Sequence, residues 1–124
     1  MTIVKAHALG NDFLLIDAYD FSVIPDPFEF ARSVCDRHRG IGADGLIAYT
    51  VREEGFSMQL FNADGSFSEV SGNGVRCLAA WLASTRDLAI GDALDIETDA
   101  GVKTLELLAV SEGRYTFRAA MGHP

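Results

Sequence analysis

Basic residues are scarce in this chain. It carries 10 Lys and Arg against 18 Asp and Glu, a formal net charge of −8. A nucleic-acid binder normally presents a basic face, so that class of partner is excluded, and nothing here draws the chain to an anionic lipid surface. Long apolar runs are missing as well. No stretch approaches the roughly 18 unbroken apolar residues of a membrane-spanning helix. Met1-Thr2-Ile3-Val4-Lys5 lacks a charged segment followed by an apolar one, so no secretory signal is expected and the location expected is cytoplasmic. Only two cysteines occur, Cys35 and Cys77. Nothing in their spacing asks for a bridge, and two buried free thiols fit a reducing compartment. No linker, internal repeat or low-complexity run breaks the chain.

What remains is globular. Hydrophobic residues make up 48% of the 124 and charged residues 23%, which argues against disorder. The length suits one domain, and a chain of this size buries roughly 65% of its unfolded surface. Residues 2–8 and 13–18 read as strands around the turn Gly10-Asn11-Asp12. Asp26-Pro27 opens a helix, Asp as cap and Pro in first position, with Phe28, Ala31, Val34 and Cys35 on one face. Residues 46–51 and 56–61 form a hairpin. A second helix covers about 74–85. Its apolar residues, among them Val75, Leu78, Ala79, Trp81 and Leu82, wrap most of its circumference, which marks a buried helix. Strands follow at 94–98, 102–110 and 115–121. The pattern predicts an α+β fold, a mostly antiparallel curved sheet or barrel wrapped around a central buried helix.

Three familiar motifs fail on context. Gly40-Ile41-Gly42-Ala43-Asp44-Gly45 matches G-x-G-x-x-G, but a dinucleotide fingerprint follows a strand and opens a helix, and here a helix precedes and a strand follows. Asn62-Ala63-Asp64-Gly65-Ser66 lacks the later glycine and acid of a calcium loop. Cys35 and His38 have ligand-like spacing without a second ligand pair. No metal is expected.

Three other segments share a chemistry: Leu9-Gly10-Asn11-Asp12-Phe13, Phe61-Asn62-Ala63-Asp64-Gly65-Ser66 and Ser71-Gly72-Asn73-Gly74-Val75-Arg76-Cys77. The third sits at the start of the buried helix. Its glycines leave backbone N–H groups open, and these with the helix dipole suit a carboxylate. The asparagines of the other turns add donors and acceptors, so that together the three could grip an amino acid. Taken singly, each segment is also ordinary turn and cap chemistry.

These segments, with Arg39-Gly40-Ile41-Gly42-Ala43-Asp44-Gly45 and the closing Met121-Gly122-His123-Pro124, resemble the amino-terminal half of diaminopimelate epimerase, in the right order and at fitting intervals. The resemblance covers essentially the whole chain, 1–124, which would be one amino-terminal lobe without its carboxy-terminal partner. It implies an enzyme of lysine biosynthesis that interconverts L,L- and meso-diaminopimelate with neither pyridoxal phosphate nor metal, and so with no cofactor. Two similar lobes, each a barrel-like sheet around a helix, would hold the substrate in the cleft between them. One acid/base from each lobe would face the α-carbon. Asn11 and Asn62 would hydrogen-bond the substrate, and Gly72 and Asn73 would hold its α-carboxylate.

The departures are informative. Ser71 stands where the family has a catalytic cysteine, and a serine hydroxyl is a poor base at neutral pH without an activating partner. Cys77 lies about one and two-thirds helical turns further on, too far to replace it. Gly45 stands where many members carry a longer polar side chain. The isolated lobe, lacking a second base, is expected to be inactive, and its uncovered apolar face is expected to pair with a second lobe or another copy. Two other readings stay open: a non-catalytic amino-acid-binding or assembly lobe, and a racemase or isomerase of another substrate.

Overall fold

The computed structural model describes residues 1–8, 10–69 and 72–120. The chain opens with a hairpin of β1 (Ile3–Ala8) and β2 (Asn11–Asp17). Ala8 pairs with Asn11 and Gly10 takes φ +87°. The turn thus comes earlier than the sequence suggests, and Asn11 and Asp12 are already strand. At the other end of β2, the Asp17 carboxylate accepts from the Tyr19 N–H at 2.8 Å and starts the short helix α1 (Ala18–Ser22). No helix was expected there, because so short a segment cannot display a helical period.

Helix α2 (Pro27–Cys35) begins as its sequence indicates, with the Asp26 carboxylate accepting from the Glu29 N–H at 3.1 Å. Ala31 and Cys35 are buried, while Phe28, on the same face, is 54% exposed. Its ring packs edge-to-face with that of Phe61, the centroids 5.8 Å apart. Strands β3 (Gly45–Arg52) and β4 (Gly55–Asn62) follow, with the two-residue β5 (Phe67–Ser68) beside β4. Helix α3 (Gly72–Thr85) starts slightly before the predicted 74. The chain closes with β6 (Ala93–Thr98), β7 (Gly101–Ser111) and β8 (Arg114–Ala120).

One sheet collects the strands in the order β1-β2-β3-β4-β6-β7-β8, with β5 on β4. Pairing is antiparallel except for β2–β3 and β4–β6. The helices occupy those two parallel crossovers, as parallel strands require. They feed two cores on opposite faces. Around α3 gather Phe13, Leu15, Ile47, Met58, Leu60, Leu94, Ile96, Leu105 and Leu107. Around α1 and α2 gather Leu14, Ile16, Leu46, Ala48 and Phe61. Alternation along β2 and β3 therefore supplies both faces, so 13–16 and 45–48 read as unbroken apolar runs. Strands β6 and β7 bury one face only.

Helix α3 packs on β1 and β8, the two ends of the strand order, as well as on β2. A sheet can touch one helix with both its ends only by curling round it, and this is the curved lobe expected from the sequence. Val75, Leu78, Ala79, Leu82 and Ala83 of α3 are buried in that hollow. Among the described residues, no helix is long and apolar enough to cross a membrane.

Candidate functional site

Parallel pairing places Phe13 beside Gly45, and antiparallel pairing places Gly45 beside Asn62. The start of β2, the start of β3 and the end of β4 thus lie at one end of the sheet. Asn11 occupies the first of these positions. Its Oδ1 accepts from Nδ2 of Asn73, in the first turn of α3, at 2.6 Å. Its own Nδ2 donates to Asp44 Oδ2 at 3.3 Å. The strand end and the mouth of the central helix are therefore joined side chain to side chain.

Asp44 is the last residue before β3 and is tied to β2 by a reciprocal pair. The Asp12 N–H donates to Asp44 Oδ2 at 2.9 Å, and the Asp44 N–H donates to Asp12 Oδ1 at 3.1 Å. Arg37 bridges both carboxylates, at 2.9 Å to Asp12 and 3.2 Å to Asp44, and Lys5 approaches Asp12 at 3.5 Å. The Arg37 guanidinium and the bonds from Asp44 hold the Asp12 carboxyl well below the usual carboxylate range, against its partial desolvation.

This shift predicts an acid dependence of stability. The folded carboxyl titrates below the ordinary 3.8, so as the pH falls past that value the unfolded chain takes up the proton first. The stabilisation is complete above about pH 5 and drains away below it. Urea unfolding followed from pH 6 to pH 2 is expected to show this loss, and Asp12→Asn is expected to flatten it. An unchanged acid limb in the variant would count against the assignment.

The glycine-punctuated loop between α2 and β3 uses its amides internally. Gly40 N–H donates to Asp36 O at 2.9 Å, Gly42 to Val34 O at 2.9 Å and Ala43 to Cys35 O at 3.0 Å. These bonds satisfy carbonyls at the end of α2, so the loop is a helix C-terminal cap and offers those donors to no phosphate. Gly42 takes φ +87°, and a Cβ on Gly40 would collide with the Ser33 carbonyl. At Gly45 a Cβ would lie 2.8 Å from the Phe61 carbonyl oxygen. This backbone therefore admits no longer side chain at 45 without shifting.

Asn62 is exposed and bound within its own turn. Its Nδ2 donates to Ser66 Oγ at 3.0 Å, while Ser66 Oγ and N–H both donate to Asp64 Oδ1. It lies at the same end of the sheet as Asn11 but is not bonded to it. Gly72 is exposed at the start of α3. A Cβ there would lie 3.3 Å from Arg76 Nη1, so that guanidinium covers the helix mouth. Arg76 also lines an open cleft of about 670 Å³ with His7, Ala80 and Tyr115. Ser71 lies outside the described residues. Cys77 is fully buried and unbridged, and burial pushes its thiol up to about 12. It stays protonated at neutral pH and offers no base. Cys35, likewise buried, is pushed up to about 11 by desolvation.

The family model of diaminopimelate epimerase matches residues 3–124. The chain belongs to the diaminopimelate epimerase family. It is 45% identical over 127 aligned residues to the diaminopimelate epimerase of Pelotomaculum thermopropionicum, covering all of this chain and 45% of that one. It is 49% identical over 105 to that of Prochlorococcus marinus, covering 79% of this chain and 34% of that one. The chain thus spans less than half the length of these relatives. Its fold also matches a phenazine biosynthesis protein of the PhzF family from Bacillus anthracis, with TM-score 0.67 and 18% identity over 91% of this chain and 38% of that one.

In this member of the diaminopimelate epimerase family, sequence reasoning named Asn11, Asn62, Gly72 and Asn73, and the fold joins Asn11 to Asn73. Asp12, Arg37 and Asp44 were missed as a group, although Asp12 and Asp44 stood inside two of the quoted motifs. The readable signal was an aspartate adjoining each glycine turn, whose partner only the strand register reveals.

Proposed function

We propose that this chain is the amino-terminal lobe of a two-lobed, cofactor-independent epimerase that interconverts L,L- and meso-diaminopimelate in lysine biosynthesis. The observation that carries the reading is the match of residues 3–124 to that family, with relatives bearing that enzyme's name. The joined Asn11–Asn73 pair at the mouth of α3 supports it. The reaction removes a proton from a carbon beside a carboxylate and returns one to the opposite face. The proton is weakly acidic, so the site must hold the carboxylate, stabilise the developing negative charge and place an acid/base on each side.

This lobe supplies the first two needs and one side of the third. The backbone N–H groups of the first turn at Gly72 and Asn73, the positive end of α3 and the nearby Arg76 guanidinium favour a carboxylate at the helix mouth. Asn11 and Asn62 hydrogen-bond the substrate. Ser71, immediately before the helix, gives or relays a proton more readily than it abstracts one. The second lobe brings the other acid/base and closes the cleft. The unbridged Cys35 and Cys77 accord with a cytoplasmic enzyme.

The test is deuterium incorporation at the substrate α-carbon by the intact two-lobed protein in heavy water. Incorporation is expected, and it is expected to fall sharply in Ser71→Ala. Exchange that persists unchanged in that variant removes Ser71 from the mechanism. The serine itself favours a second reading, a lobe that binds an amino acid without chemistry. Calorimetric binding of diaminopimelate with no α-proton exchange would decide for it.

A further inference from the structure

Asparagine carboxamides can turn over, exchanging donor for acceptor at little steric cost. At Asn11 the neighbours remove that freedom. Asp44 Oδ2 is a carboxylate oxygen and only accepts, so the Asn11 atom 3.3 Å away must be the nitrogen. That leaves Oδ1 toward α3, and the Asn73 atom 2.6 Å from it must then be the donating nitrogen. Turning Asn11 over would set oxygen against carboxylate on one side and N–H against N–H on the other. The Asp12 N–H, 2.9 Å from the same Asp44 oxygen, and Arg37, 3.2 Å from the other, hold the carboxylate in place.

We infer that Asp44 is a positioning residue, which through Asn11 fixes the orientation of the Asn73 carboxamide at the mouth of α3. The inference rests on the reading of that mouth as the substrate's carboxylate site. Asn11 then keeps one N–H for a ligand. Asn73 keeps one N–H and its oxygen, always in the same arrangement. The anionic end of an amino acid meets donors already aimed, and no bound state is divided between two orientations.

Two substitutions separate this role from a structural one. Asp44→Ala removes the acceptor facing Asn11. Asp44→Asn, with its amide oxygen held toward Asn11 by the Asp12 N–H, keeps that acceptor and puts an NH2 in place of the oxygen that accepts from Arg37, so it loses both the ion pair and the hydrogen bond to that guanidinium. In the intact two-lobed enzyme, Asp44→Ala is expected to raise KM for diaminopimelate roughly tenfold or more, the scale of a lost hydrogen bond to a charged group. Its kcat should stay within about threefold, because a contact equal in ground and transition states acts on KM. Asp44→Asn is expected to restore most of the KM. Equal losses in the two variants would assign Asp44 to the ion pair alone and overturn the inference.

Nuclear magnetic resonance on the 124-residue chain tests the lock without substrate, and on wild type even if Asp44→Ala does not fold. The Asn11 side-chain amide protons should show cross-relaxation with the Asp12 N–H, since both donate to one oxygen. Cross-relaxation of those protons with the Asn73 side-chain amide alone would mean that Asn11 is turned over, and the lock would fail. Signals as expected in this chain, with no turnover of diaminopimelate by the intact two-lobed protein, would sink the functional reading and leave the lock standing.

Discussion

Exchanging Ser71 for cysteine in the intact two-lobed protein is expected to accelerate α-proton exchange by about 10²-fold or more, the lower end of what a positioned acid/base contributes. A serine hydroxyl has almost no alkoxide at neutral pH. A cysteine begins near pKa 8.5, and a helix N-terminus lowers it toward neutrality. Position 71 immediately precedes, in sequence, the first residue of α3, which is why the thiol is proposed there. No described cysteine already fills the role, because the Cys77 thiol is fully buried and pushed up to about 12. The measurement is deuterium uptake at the α-carbon under identical conditions for wild type and variant. An unchanged or slower rate in Ser71→Cys would mean that the site is built around the hydroxyl, and that the base comes from elsewhere.

The second large effect concerns stability. Leu78 is fully buried in the middle of α3, inside the curl of the sheet. Truncation to alanine leaves a cavity that surrounding strands cannot close, and about 2–5 kcal/mol is expected to be lost. That is a large part of the roughly 5–15 kcal/mol that holds a typical domain together. The urea midpoint should fall with little change in slope. Ser84→Ala, on the exposed side of the same helix, is expected to stay within about 0.5 kcal/mol. Similar losses at both positions would contradict the buried-helix architecture. Because α3 also presents Gly72 and Asn73, the Leu78 variant is expected to weaken ligand binding before it unfolds outright.

Much of the architecture was legible in the residues themselves. The Asp26-Pro27 start, the hairpin around Glu53-Glu54 and the strand at 94–98 each depend on neighbours a few positions away, and each reads correctly. The all-round apolar surface of α3 also announced its place in the core. The reading failed where local pattern carries no information. Helix α1 is too short to show a period. The parallel pairing of β2 with β3 and β4 with β6 cannot be read from strand residues, because it depends on where a helix returns the chain.

The candidate site divides along the same line. Sequence alone determined which residue types cluster at the turns, that Asn73 sits at the start of a buried helix, and that Cys77 lies too far along that helix to act as its base. Tertiary structure decided that Asn11 meets Asn73, that Asp44 orients Asn11, and that the glycine loop caps α2. These contacts join residues separated by 62 and 33 positions and, in the loop, by 4 or 8 along the chain. The long ones exist because strand register brings β2, β3 and the mouth of α3 to one end of the sheet. Register is set by which apolar side chains share a core, a collective property that no single motif encodes.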